Sequence, residues 1–280
     1  MKLAGIAVLF GAVWLGLAHA EPAEPTRHQV AGAYQRALAH PMGLDDYLAV
    51  LPRDGERYVT EGDLIRTRDE IAGDFERQRQ AESPRQPGEL TVNVRADGGV
   101  DIWARPQRAL TYSIDRGSFA TPALADSVLK LTAKAAAEWV AACGAPCGVT
   151  FTFKEDPTPT TAEATFVIRG VDARGEYVAA AFFPSYAPVR RMLNVDRTFH
   201  QLGDVELQQG VLRHELGHVL GYRHEQVRGV PGCFAEGGRW QPVTPYNPTS
   251  TMHYHCGGGG TPRLTLSELD KQGHRDLYSR

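Results

Sequence analysis

The chain has 280 residues, a formal net charge of −3, 42% hydrophobic and 22% charged residues, and four cysteines. That length bounds it at one large domain or two smaller ones, and the composition is ordinary for a globular chain with a packed core. The mildly acidic balance, with no long basic run, excludes a nucleic-acid polyanion as the expected partner.

From the N-terminus, residues 1–20 read as a secretory signal peptide. Lys2 gives the positive region, Leu3 to Leu17 is apolar, and Ala18-His19-Ala20 is a small-x-small cleavage site before Glu21. The alternative, an uncleaved anchor, needs an apolar run of roughly 20 residues, longer than this one. No later stretch is suited to span a bilayer, so the expected product is secreted or periplasmic, with no membrane contact after cleavage. Residues 26–40 place Val30, Ala33, Tyr34 and Leu38 at helical spacing, and residues 44–51 form a shorter helical stretch ending at Pro52. Residues 56–67 alternate weakly around Gly62-Asp63, and residues 69–82 read as a highly charged, solvated helix. The Pro-rich stretch 83–88 is a linker by composition, which places a domain boundary between about Arg79 and Gly99.

Beyond Val100 strands and helices alternate. Residues 110–114, 149–153, 164–169, 177–183 and 192–195 read as strands. Residues 122–142 read as a long helix, N-capped by Thr121 ahead of Pro122, with Leu124, Val128, Leu131, Ala135 and Trp139 as its core stripe. Helices are also expected at 205–220 and at 267–278, the second with Ser267 as N-cap. The alternation favours a sheet flanked by helices. Four cysteines in an exported chain favour two disulfides. Cys143 and Cys147 enclose a tight Gly-Ala-Pro loop, and Cys233 with Cys256 would staple the segment before the Gly-rich stretch. That pairing is one of three connectivities open to four cysteines.

The densest chemistry is His214-Glu215-Leu216-Gly217-His218, continued by Gly221 and then His224-Glu225. Positions four apart lie one turn apart on one helix face, so His214 and His218 can reach one zinc ion at about 2.0–2.1 Å. Glu215 sits beside that face, where a base for a zinc-activated water belongs. Gly221 can take positive φ and end the helix, so the chain turns back to deliver His224 as third ligand. Three protein ligands with a fourth position open is the catalytic pattern, whereas structural zinc sites are closed by four.

About thirty residues on comes Ser250-Thr251-Met252-His253-Tyr254. The two motifs together resemble the metzincin zinc metallopeptidases, and within them the astacin-like group, across roughly residues 100–280. The resemblance implies an α+β, zincin-like fold: a twisted mixed sheet with an active-site helix and a smaller irregular C-terminal subdomain. It implies a signal peptide at 1–20, a propeptide at 21–95 and a catalytic domain at 96–280. It also implies that His214, His218 and His224 hold one Zn2+, that Glu215 is the general base, and that Met252 is an apolar floor. Tyr254 would be a movable fifth ligand that stabilises the tetrahedral intermediate, and Glu225 would link to the N-terminus freed by activation. His253 and His255 are not expected to ligate. The chain departs from the group in its cysteine arrangement, in the short Gly- and Pro-rich segment between Glu225 and Met252, and in Thr111 where the group tends to have Pro.

The expected activity is therefore endoproteolysis of protein or peptide substrates by a monomeric enzyme made as a zymogen. Glu61-Gly62-Asp63 resembles the group's inhibitory motif, with Thr60 where Phe would stand, and Asp63 would ligate zinc in place of water; a plain Gly-Asp turn between strands is the competing reading. Residues 177–183 are the expected edge strand for substrate. Arg263 reads as a solvated surface residue, the alternative being a pocket that favours an acidic side chain. Two other classes stay open: an exported zinc-binding module without activity, and a zinc hydrolase of cell-wall peptides.

Overall fold

The computed structural model describes residues 43–80, 90–156, 158–233 and 236–280. The expected signal peptide, the helix at 26–40 and the linker at 83–88 lie outside them. The architecture is mixed α+β, with five α-helices and three sheets among the described residues.

The smaller, N-terminal unit comprises helix α1 (Gly43–Ala49), strands β1 (Arg53–Asp54), β2 (Arg57–Thr60) and β3 (Leu64–Arg66), and helix α2 (Arg68–Gln80). β2 and β3 form a hairpin in register Thr60↔Leu64, so Glu61, Gly62 and Asp63 are its tip, with Glu61 at φ 60° and Gly62 at φ 97°. The expectation of a solvated α2 needs correction. Ile71 and Phe75, four residues apart, are both buried and close a small core with Tyr47, Leu48, Leu51 and Tyr58. Only these two positions of the helix supply apolar bulk, so the charged majority masks the face that packs.

The larger unit is built on a five-stranded sheet in the order β6-β5-β7-β9-β8: Thr150–Phe153, Ala109–Asp115, Phe166–Val171, Met192–Asp196 and Ala179–Ala180. The first four run parallel, and β8 is an antiparallel edge. The edge strand is shorter than the 177–183 expected from sequence, since only Ala179 and Ala180 pair with β9. Ile114, Ile168 and Leu193 line up in register across the sheet and are buried, so one row of β-branched and aliphatic side chains seals it to the helices.

Helix α3 (Pro122–Cys143) starts where Thr121 Oγ1 accepts from Leu124 N at 3.3 Å. It buries Val128, Leu131, Ala135 and Trp139 at helical spacing, while Leu124 stays half-buried. Trp139 stacks on Tyr222 at 5.3 Å and donates its indole N–H to the Arg213 carbonyl at 2.9 Å, which ties α3 to helix α4 (Val205–Val219). Helix α5 (Glu268–Tyr278) begins with a reciprocal Ser267–Asp270 capping box.

A third sheet sets β4 (Thr91–Asn93) between β10 (Tyr222–Arg223) and β11 (Trp240–Pro242). Leu90 and Val92 belong to the main core, so the larger unit takes in the chain from Leu90, ahead of the boundary expected at 96. The disulfides are Cys143–Cys147 and Cys233–Cys256, with Cα separations of 5.7 and 5.0 Å. Both suit an oxidising, extracytoplasmic setting. No helix among the described residues is long and apolar enough to cross a membrane.

His274 on α5 is buried between Trp139 and Tyr222, and burial, reinforced by the Arg108 and Arg275 charges, pushes its pKa down to about 4. Its folded value lies below the roughly 6.5 of the unfolded chain, so the unfolded state takes up the proton first. The fold should therefore lose stability as pH falls from about 6.5 towards 4 and lose none from this group above that window. Urea unfolding at pH 7 and pH 4 should show a loss smaller by about 2–3 kcal/mol in His274→Gln than in the parent. Equal losses in the two chains would contradict it.

Candidate metal centre

Asp204 caps α4, its Oδ1 accepting from Glu206 N at 2.8 Å. The helix then presents His214 and His218 on one face. At its end Gly221 takes φ 97°, where a β-carbon would strike the Asp101 carbonyl oxygen. Pairing of Tyr222 and Arg223 with Val92 and Thr91 then fixes the chain that brings His224 back.

The result is tight. His224 Nε2 lies 3.1 Å from Nε2 of His214 and 3.1 Å from Nε2 of His218. Asp63, from the hairpin tip, sets Oδ2 at 3.2, 3.6 and 3.1 Å from Nε2 of His214, His218 and His224. A tetrahedron with arms of about 2.0–2.1 Å has edges of about 3.3–3.4 Å, which these separations match. The four residues are all buried and form one of three groups of potential metal donors among the described residues, the one with four members. The turn and the metal-donor readings of Gly62-Asp63 thus coexist: the turn is the hairpin tip, and it delivers the carboxylate.

Outer partners orient every ring. Nδ1 of His214 donates to the Thr251 carbonyl at 2.7 Å, Nδ1 of His218 to the Tyr222 carbonyl at 2.8 Å, and Nδ1 of His224 to Glu236 Oε1 at 3.0 Å. With Nδ1 carrying a hydrogen, each Nε2 faces inward, where its unprotonated form offers a lone pair to a metal ion. Glu236 went unrecognised from sequence because it is a lone Glu in an irregular segment; only the Cys233–Cys256 staple hinted that this segment returns to the site. Arg223 was likewise passed over, since its partner Glu61 lies 162 residues earlier.

The electrostatics follow from burial and contact. Burial favours a neutral Asp63, but His224 and His218 outweigh it and hold the carboxyl well below its usual range. His218 is pushed down to about 4, by burial first. Burial also opposes charge on His224, yet Asp63 and Glu236 on its two nitrogens raise it well above the usual value. Carboxylates thus converge on imidazoles in a dry site, a charge and donor set suited to a borderline cation such as Zn2+.

Glu215 is fully enclosed, and its Oε2 has no hydrogen-bond partner among the described residues. Burial, then the charge of Asp63, raises its pKa well above the ordinary carboxylate value. It faces a cleft of ≈ 350 Å³ whose walls include Val178, Leu202, Leu207, Val211 and Leu264. Tyr254 stacks on His214 at 5.5 Å and donates its hydroxyl to Asp63 Oδ2. Met252 is fully buried, its Sδ filling the space that a β-carbon at Gly217, the residue before His218, would take.

His214, His218, His224, Glu215, Tyr254, Met252 and Asp63 therefore meet in one place. His253 and His255 stay outside, bonded to Tyr246 and to the Thr261 carbonyl, and the cysteines beside His253 are spent in a disulfide. Arg263 is 58% exposed and pairs with Asp204, so the pocket that would favour an acidic side chain there does not form; Leu264 lines the cleft instead. Glu225 is buried, accepts from Arg228 Nε at 3.0 Å, and is pushed up to about 8 by burial. Comparison with known protein-family models gives no match to this chain, and comparison with curated proteins gives none either.

Glu236→Ala should weaken zinc binding about 10–100-fold, because His224 loses the acceptor that sets its tautomer and orientation. Competition against a chromophoric chelator reads this directly; unchanged affinity would remove Glu236 from the site.

Proposed function

We propose that this chain is a secreted zinc metalloendopeptidase of the metzincin class, astacin-like, made in a latent form. The observation that carries the reading is the division of the tetrahedron between two units. Three imidazoles come from the larger unit, and the fourth donor, Asp63, comes from a hairpin that removal of the N-terminal unit would take away. The mixed sheet with its antiparallel edge, the helix beneath it, the Met252 floor and the irregular segment after Glu225 accord with the metzincin arrangement.

His214, His218 and His224 would hold the ion, which when bound polarises the scissile carbonyl and acidifies water. The chain's own groups do the rest. With Asp63 gone, Glu215 takes a proton from the attacking water through its free oxygen and passes it to the leaving amine. Tyr254, released from Asp63, has its phenolic O–H free to donate to the oxygen that becomes negative as the carbonyl turns tetrahedral. Ala179 and Ala180 offer a low-walled edge on which a peptide lies as an added antiparallel strand. The hairpin crosses that edge in the opposite sense, with Leu64 bridged in parallel to Ala181, so it fills the cleft without the orientation of a substrate.

Closure by four donors is also the pattern of a structural zinc site, which favours a non-catalytic exported module as second reading. Against it stand Glu215, a buried base with no structural partner, and the cleft beside it. Denatured casein decides between them. The full chain should be silent, Asp63→Ala should be active without processing, and Glu215→Gln in that background should cut the rate about 10²–10⁴-fold. Chelator should abolish the activity and zinc restore it. Activity that survives both Glu215→Gln and chelation would contradict the peptidase reading.

A further inference from the structure

A second cavity, separate from the apolar cleft, has the opposite chemistry. Arg190 donates through Nη1 to Glu70 and through Nη2 to the Ile65 carbonyl at 3.2 Å, and lies over the Tyr186 ring at 4.4 Å. Arg223 donates to Glu61. The side chains of Arg223 and Glu61 are only 2% and 3% exposed. A cavity of ≈ 340 Å³ runs alongside, walled by Asn93, Phe183, Ser185, Tyr186, Arg190 and Arg223. Both arginines belong to the larger unit, and both carboxylates belong to the unit that activation would remove.

A guanidinium shielded from water is costly unless an anion meets it. Once Glu61 leaves, Arg223 keeps the Gly237 carbonyl and the nearby charge of Glu236, and its Nε has no partner among the described residues even now. Arg190 likewise loses Glu70 and Ile65 together. The carboxylates of the N-terminal unit therefore mark where an anion binds. The geometry points to a substrate subsite for acidic side chains, in which Arg190 and Arg223 receive one or two carboxylates of the bound peptide. This rests on the peptidase reading.

The subsite's place relative to the cut bond follows from the strand sense. A peptide antiparallel to Ala179–Ala180 has its N-terminal residues at the end of that edge where Phe183 and Tyr186 stand. Arg190 and Arg223 line the same cavity as Phe183 and Tyr186, so the acid belongs a few residues before the scissile bond. The apolar cleft takes the residue after it. The expected substrate class is thus a peptide with Glu or Asp ahead of the cut and an aliphatic side chain behind it.

The test uses the chain activated by limited proteolysis and peptide pairs that differ only by Glu or Gln two or three residues before the cut. The Glu peptide should have a kcat/KM about 10–100-fold higher, the value of a charge-assisted hydrogen bond. That ratio should fall towards one in Arg190→Gln and in Arg223→Gln, and should shrink with added salt. The ratio is what is read, because Arg223 adjoins His224 and its variant can lower both rates together. Binding of the same peptides to the activated Glu215→Gln chain should show the same preference without turnover. Equal rates and equal Kd for the two peptides in the parent would overturn the subsite, as would a preference untouched by both substitutions; the arginines would then serve only to hold the N-terminal unit. Cleavage of neither peptide, with none of casein, would overturn the peptidase reading and the subsite with it.

Discussion

Bringing three imidazole nitrogens within 3.1–3.6 Å of one carboxylate oxygen in a dry interior is costly, and much of the fold is spent on holding them there. Each ring is held from behind by an acceptor on a different element. The Tyr222 carbonyl sits just past the end of α4, and Glu236 stands on the disulfide-stapled segment. The Thr251 carbonyl is held by α5, since Asp270 in the capping box of that helix accepts from Thr251 N at 2.9 Å and from Ser250 Oγ at 2.6 Å. One helix cap thereby sets the height of both His214 and Met252. The orientation of each ring is fixed before any ion arrives, which is the preorganisation that a metal site needs.

The N-terminal unit acts on this centre through a single hairpin. Its own core is small, six buried side chains, so its grip on the larger unit depends on a few directed contacts. Val59 and Ile65 pack on Tyr177 and Ala180, Leu64 bridges to Ala181, Glu61 and Glu70 meet Arg223 and Arg190, and Asp63 meets the histidines. The polar contacts lie around the cleft and the cavity beside it. On the proposed reading such a plug is displaced by cutting the chain behind it, and what it leaves are groups suited to carboxylates and to an apolar side chain.

Local signals in the sequence anticipated the local features. The four-residue spacing of His214 and His218, the positive φ of Gly221 and the caps at Thr121 and Ser267 appear as the spacing and capping rules require, and the two disulfides follow the expected one of the three possible pairings. Features that depend on distant pairing were not legible. The edge strand contracted to two residues because pairing with β9, and not the apolar run of 177–183, sets its length. Glu236, Arg223 and Arg190 carry no local pattern; their roles come from partners 12, 162 and 120 residues away. Helix α2 was misread as solvated because two apolar residues among many charges are enough to bury one face.

X-ray absorption spectroscopy on the zinc-loaded full chain tests the central claim most directly, since it counts donors without reference to activity. One zinc per chain with three imidazole nitrogens and one carboxylate oxygen, all at about 2.0–2.1 Å, is the expected result. In Asp63→Ala the imidazole shell should persist while the carboxylate oxygen is replaced. A spectrum unchanged by Asp63→Ala, or a shell with fewer than three imidazoles, would contradict the account.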